Sequence, residues 1–278
     1  ASDAMASKTS LTENPHKKKK AVSSMTLPAT PSFRLDGKRA LVTGGTRGIG
    51  LGAAVALAQA GAEVTVAART PGDVERVVGQ MTDAGLRAEG VAIDITDFAA
   101  VRGFVAEAEP FSVLVNSAGT ARHSPLAGIT EADYQAVMQL NLGATLFVSQ
   151  AVAGRLRQAG LSGSIITISS QMGHVGGPDR AVYAASKHAV EGLTKAMAIE
   201  LGASNIRVNT ICPTFIETEL TAQNLGDPAF RSWVLAKIKL GRLGRIEDIM
   251  GPVVFLASDA AALVTGTSLL VDGGWTAE

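Results

Sequence analysis

Leu41-Val42-Thr43-Gly44-Gly45-Thr46-Arg47-Gly48-Ile49-Gly50 joins an apolar strand pattern to the start of a helical one. Gly44, Gly48 and Gly50 follow Gly-x-x-x-Gly-x-Gly, looser than the Gly-x-Gly-x-x-Gly of ordinary dinucleotide binders. Glycine at such a junction turns the chain, lets the backbone approach a pyrophosphate, and lets the helix pack on the sheet. The phosphates then meet free N–H groups at the positive end of the helix dipole. Glycine-rich turns are common in loops; position between a first strand and a first helix gives this one its meaning.

Outward from the turn, short Val- and Ile-rich runs alternate with longer Ala- and Leu-rich ones. Strands are expected at 40–42, 63–68, 88–93, 112–115, 164–168, 207–211 and 268–271, in near-continuous apolar runs that suit burial on both faces. Helices are expected at 50–60, 131–154 and 181–201. Such alternation predicts parallel βαβ units with right-handed crossovers. The fold class is therefore α/β, a doubly wound Rossmann-type, seven-stranded parallel sheet with helices on both faces.

Of the 278 residues 46% are hydrophobic but only 4% aromatic, so the core must be aliphatic. Residues 32–278 suit a single domain. Residues 1–31 read as a flexible basic N-terminal extension or tag, with Lys17 to Lys20 in a row and no apolar signal region. The lysine run could alternatively tether the chain to an acidic partner. Lys plus Arg equals Asp plus Glu at 25 each, which leaves no basic field for nucleic acid. No uninterrupted apolar run approaches the roughly 18 residues of a membrane span. The lone Cys212 excludes an internal disulfide and is compatible with a reducing, cytoplasmic setting.

The end of the second strand bears on cofactor choice. A dinucleotide without a 2′-phosphate calls for Asp or Glu there, yet the chain reads Val66-Ala67-Ala68-Arg69-Thr70. Arg69 and Arg47 either clamp the 2′-phosphate of NADP(H) by charge-assisted forks or are solvated surface residues. NADP(H) is the expectation.

Tyr183-Ala184-Ala185-Ser186-Lys187 opens the third of the helical patterns. Residues four apart share a face, so phenol and ammonium point the same way. A cation about 4 Å from a phenol could lower its pKa by up to about three units, toward neutrality. The pair then suits general acid/base work. Ser164 to Ile168 ends in Ser169-Ser170 at a strand's C-terminal edge, where open α/β sheets bind ligands. Alternation selects Ser170 over Ser169 as the hydroxyl facing a substrate oxygen.

Taken together, Thr43 to Gly50, Asn116-Ser117-Ala118-Gly119, Asn141, Ser170, Tyr183-x-x-x-Lys187 and Pro213-x-x-x-x-Thr218 resemble the classical short-chain dehydrogenases/reductases. The resemblance runs from about Leu35 to Gly274 in the family's order. It implies an NADP(H)-dependent oxidoreductase moving a hydride between nicotinamide and a ketone or secondary alcohol. Tyr183 is then the acid/base, and Lys187 holds the nicotinamide ribose and depresses the Tyr183 pKa. Ser170 polarises the substrate oxygen, and Asn141 anchors a relay water. Cofactor contacts are expected from Gly44, Thr46, Arg47, Gly48, Ile49, Gly50, Arg69, Asp94, Ile95, Asn116, Ala118, Gly119, Tyr183, Lys187, Pro213, Ile216 and Thr218. A homotetramer follows, with the helices near Glu131 and Tyr183 forming one interface. Subtypes of 3-oxoacyl-thioester reductase and gluconate dehydrogenase kind lie nearest. A catalytically idle NADP(H) sensor is the alternative, against which the intact tetrad argues.

Ser117 stands where the family usually has a second Asn, and Thr214 where it usually has Gly. Residues 171–179 and 214–240 should set the substrate, with a mobile lid around Gly226-Asp227-Pro228. His174 is either a substrate contact or a solvent-facing loop residue. His123 and His188 lack partners at ligand spacing, so no metal is expected. Cys212 reads as a small buried apolar residue. Met172, Phe215 and Trp233 line either an apolar pocket or the core.

Overall fold

The computed structural model describes residues 27–278, so the Lys17–Lys20 run lies outside the described residues. Seven strands form one parallel sheet: β1 Arg39–Thr43, β2 Glu63–Ala68, β3 Ala88–Ala92, β4 Val113–Asn116, β5 Gly163–Ile168, β6 Ile206–Pro213 and β7 Ser268–Val271. Their spatial order is β3-β2-β1-β4-β5-β6-β7. The order reverses between β1 and β4, the crevice where doubly wound sheets bind ligands. Register aligns the strand ends, with Thr43 beside Asn116 and Asn116 beside Thr167.

The helices are α1 Gly48–Gln59, α2 Pro71–Asp83, α3 Phe98–Glu107, α4 Glu131–Met138, α5 Thr145–Ala159, α6 Ala181–Leu201, α7 Glu219–Leu225, α8 Pro228–Lys237 and α9 Ile246–Ala257. Period-two alternation sorts the core into two layers. Val42, Val113, Val115 and Ile166 pack with α1, α2 and α9 on one face. Leu41, Leu114, Ile165 and Val208 pack with α3, α5 and α6 on the other. Local chemistry sets the helix ends. Pro71 at the first position starts α2, whose Val74, Val77 and Met81 form the buried stripe. The Asp97 carboxylate accepts from Ala99 N and Ala100 N to begin α3, and left-handed Gly160 ends α5.

Two expectations need correction. The third strand is not buried on both faces: Glu89 is exposed, and its carboxylate bonds Arg39 and the Thr65 hydroxyl. That strand lies at the edge of the sheet, where one flank is open. The helix foreseen over 131–154 is broken by a π segment, Gln139–Ala144, carrying Asn141. Helical composition runs unbroken through it, so the wider turn leaves no sequence mark. Stretch 131–159 is long and apolar enough in composition to cross a membrane, but Val148, Val152 and Leu156 pack on the sheet. At Gly226-Asp227-Pro228 the chain passes from α7 to α8, Asp227 capping α8 by accepting from Ala229 N at 2.9 Å.

Candidate active site

The glycine turn leaves β1 with Gly44 in the left-handed region at φ +68°, where a Cβ would lie 2.8 Å from Ala118 Cα. A Cβ on Gly50 would lie 2.1 Å from the Gly44 carbonyl oxygen. The chain is therefore packed against itself there, and only hydrogen fits at either position. Helix α1 then starts at Arg47 with no side-chain cap and no acidic residue in its first turn, which leaves its positive end for an external anion. Thr43 Oγ1 accepts from Ser117 N at 3.2 Å and ties this turn to the end of β4. Ser117 itself lies against Gly50. Thr218 lies against Gly48, which brings the segment after β6 to the same turn.

Arg47 and Arg69 are exposed, and among the described residues neither joins a salt bridge. Asp94 follows β3, its carboxyl held below the usual range by Thr96 main-chain and side-chain donors, with Arg69 adding to the effect. Ile95 and Ile216 are both buried, one in each core layer. Asn116 also turns inward: its amide donates to Ser149 and Thr167, and its Oδ1 is buried without a partner. It braces β4 against β5 and α5.

Tyr183 and Lys187 lie on the first turns of α6, the Lys187 ammonium 5.7 Å from the phenol ring centre. Ser170 follows β5; its Oγ donates to Gln171 Oε1 at 2.9 Å, accepts from Met172 N at 3.1 Å, and also acts on the phenol. The Ser169 hydroxyl is buried without a partner. Burial raises the Tyr183 phenol above its ordinary value, while Ser170 and the Arg180 charge pull it down. Burial pushes the Lys187 ammonium down to about 8. The Lys187 ammonium also donates to the Ile168 carbonyl at 2.9 Å, which holds it beside the end of β5.

Asn141 is fixed from three sides. Its Nδ2 donates to Thr120 O at 2.9 Å and Ser186 Oγ at 3.0 Å, and its Oδ1 accepts from Thr120 N at 2.8 Å. Both donors are used, so the side chain fastens the turn after Gly119 to α6. Gly119 sits against Asn141 and Lys187.

Several neighbours escaped sequence reasoning. The His123 ring stands edge-on to Tyr183 at 6.2 Å. Arg180, the residue before α6, is buried and stacks over Phe215 and Phe230. Behind Lys187, ligand atoms of His174, Glu191 and Cys212 lie within 4.8 Å of one another. The Cys212 thiol, pushed up to about 12 chiefly by burial, donates to Glu191 Oε1, while Thr210 and Ser268 donate to Oε2. Cys212 is buried as expected, with polar partners in addition. Residue spacing hides this cluster, since four separate segments supply its members.

A family model described as enoyl-(acyl carrier protein) reductase matches residues 44–276. D-erythrulose reductase of Gallus gallus is 40% identical over 245 residues, covering 88% of this chain and 98% of that protein. Gluconate 5-dehydrogenase of Gluconobacter oxydans is 38% identical over 248 residues, covering 88% and 96%. A crystal structure of a gluconate 5-dehydrogenase from Burkholderia cenocepacia, in complex with NADP and tartrate, matches with TM-score 0.86 and 38% identity. That match covers 88% of this chain and 98% of the other.

Proposed function

This chain belongs to the short-chain dehydrogenase/reductase family, and from that premise we propose how its residues work. It is an NADP(H)-dependent oxidoreductase acting between a ketone and a secondary alcohol. The chain fits that cofactor: side chains would fill the turn at Gly44 and Gly50, α1 begins uncapped, and two exposed arginines flank the crevice. Gly44 to Gly50 would hold the pyrophosphate, Arg47 and Arg69 the 2′-phosphate, Asp94 the adenine side, and Lys187 the nicotinamide ribose. NADPH supplies the hydride when bound.

Tyr183 keeps its proton at neutral pH because burial disfavours the phenolate. In reduction it donates that proton to the substrate oxygen, and in oxidation it accepts one. Ser170 Oγ turns its hydrogen from Gln171 toward the same oxygen, supporting the charge that develops there. Asn141 and Ile168 hold the Thr120 turn and Lys187 in place, as positioning groups.

The substrate is a small polyhydroxylated ketone or its alcohol, a reading supported by the relatives named for erythrulose and gluconate. An idle sensor finds no support among relatives named as reductases and dehydrogenases. Residues 32–278 form the catalytic domain, in a cytoplasmic homotetramer; exposed Tyr134 on α4 and Ile199 on α6 support that assembly, which light scattering would test. The observation that carries the reading is the meeting of Ser170 and Lys187 with Tyr183 at the end of β5. A panel of ketoses, sugar acids and acyl thioesters, followed by nicotinamide absorbance, tests it. Tyr183→Phe should keep NADPH binding and lose at least about a hundredfold in rate; near-normal turnover would refute the assignment.

A further inference from the structure

Arg180 precedes Tyr183 by three positions, at the N-terminal boundary of α6. It is only 8% exposed. Its guanidinium carbon lies 5.8 Å from the Phe215 ring centre and 5.5 Å from that of Phe230. One nitrogen donates to the Pro178 carbonyl at 2.9 Å. Among the described residues no carboxylate forms an ion pair with it.

The charged and titratable groups around it are few. Asp179 is exposed; it acts on Arg180 from beyond ion-pair distance. His123 is kept below its ordinary value by burial and by the Arg180 charge, so it adds no counter-charge. Tyr183 is the third group, and its phenol is neutral. A buried cation without a counter-ion is costly. Two aromatic faces recover part of that cost, and an incoming anion would recover more. Phe215, Phe230 and Tyr183 pack against one apolar cluster, and the Arg180 charge acts on the Tyr183 phenol, so guanidinium and phenol lie near one another. Arginine offers a planar fork that matches a carboxylate in two bonds.

We propose that Arg180 receives the carboxylate of the substrate, so that this enzyme acts on a sugar-derived keto or hydroxy acid in preference to a neutral ketose. The proposal rests on Tyr183 being the proton donor. It adds an anchor that selects among small polyhydroxylated ketones by charge.

The test separates binding from turnover. D-gluconate and neutral xylitol are titrated calorimetrically into NADP-saturated wild type, Arg180→Lys and Arg180→Met, with circular dichroism checking the fold. Reduction of 5-keto-D-gluconate and of L-xylulose is measured alongside. Arg180→Met should weaken gluconate at least about thirtyfold and xylitol far less. Arg180→Lys, which keeps the charge and loses the fork, should fall between. The ratio of kcat/KM for acid over ketose should drop in the same order. Gluconate affinity indifferent to both substitutions, or a wild type that prefers xylulose, would overturn the proposal. Arg180-dependent gluconate binding with no turnover of any ketone would instead refute the redox reading and leave the anion site standing.

Discussion

Lys187 donates its ammonium to the main-chain carbonyl of Ile168 at 2.9 Å, so the first turns of α6 are fastened to the last residue of β5. That bond is made inside the protein, and burial pushes the ammonium down to about 8 from its ordinary 10.5. Between those values the unfolded chain binds a proton that the folded chain does not. Stability contributed by this residue therefore rises with pH across that window, and its cost is complete below about pH 8. The difference corresponds to about 3 kcal/mol at most. Lys187→Met should lose at least about a hundredfold in activity yet match or exceed wild-type stability at pH 7. Urea unfolding at pH 7 and pH 10 checks this: the wild type should gain on the variant as pH rises. A variant markedly weaker at pH 7 would contradict it.

The raised phenol of Tyr183 has a kinetic consequence with a definite sign. Reduction uses the protonated phenol, so its kcat/KM should stay level from pH 6 to 8. Oxidation uses the phenolate, whose population grows tenfold per pH unit below its pKa, so its kcat/KM should climb through pH 8 to 10. Both directions are read from nicotinamide absorbance under saturating cofactor. An oxidation rate already level at pH 7 would mean that the phenol is far more acidic than its burial dictates.

What could be read in the sequence follows from how local each signal is. The turn Gly44 to Gly50 and the pair Tyr183 and Lys187 are periodic patterns within one or two turns of chain, and their placement follows from helix geometry alone. Parallel order follows from alternation of strands and helices. Direction of interaction is not local. That Lys187, beside the phenol, also meets a main-chain carbonyl depends on how β5 ends beside α6. The cluster of His174, Glu191 and Cys212 joins the loop after β5, α6 and β6. Nothing local marks Arg180, because its aromatic partners Phe215 and Phe230 lie far along the chain. Asn141 was found by resemblance, but its commitment to Thr120 and Ser186 needed the π segment.

Cofactor choice can be tested at Arg69, exposed at the end of β2 without a salt bridge among the described residues. A charge-assisted hydrogen bond contributes about 1.5–3 kcal/mol, so Arg69→Ala should lower the preference for NADPH over NADH by about tenfold or more. The loss should appear in KM for NADPH and leave NADH almost untouched, because only the former carries the 2′-phosphate. An unchanged ratio would assign phosphate recognition elsewhere.

Asp248 offers a test of the fold away from the site. Its carboxylate accepts from both terminal nitrogens of Arg242 at 2.6 and 2.8 Å, and from Arg245 N at 2.7 Å where α9 begins. The Arg242 fork chiefly holds the carboxyl down at about 2. Asp248→Ala removes a helix-terminal acceptor and an ion pair, and should cost about 1–2 kcal/mol at pH 7. A depressed carboxyl contributes stability above its unfolded pKa and loses it as pH falls toward the folded value. The gap between wild type and variant should therefore be constant from pH 5 to 8 and close between about pH 4 and 2. Denaturant midpoints across that range measure it, and a gap that persists at pH 2 would show that packing, rather than the charged acceptor, holds the start of α9.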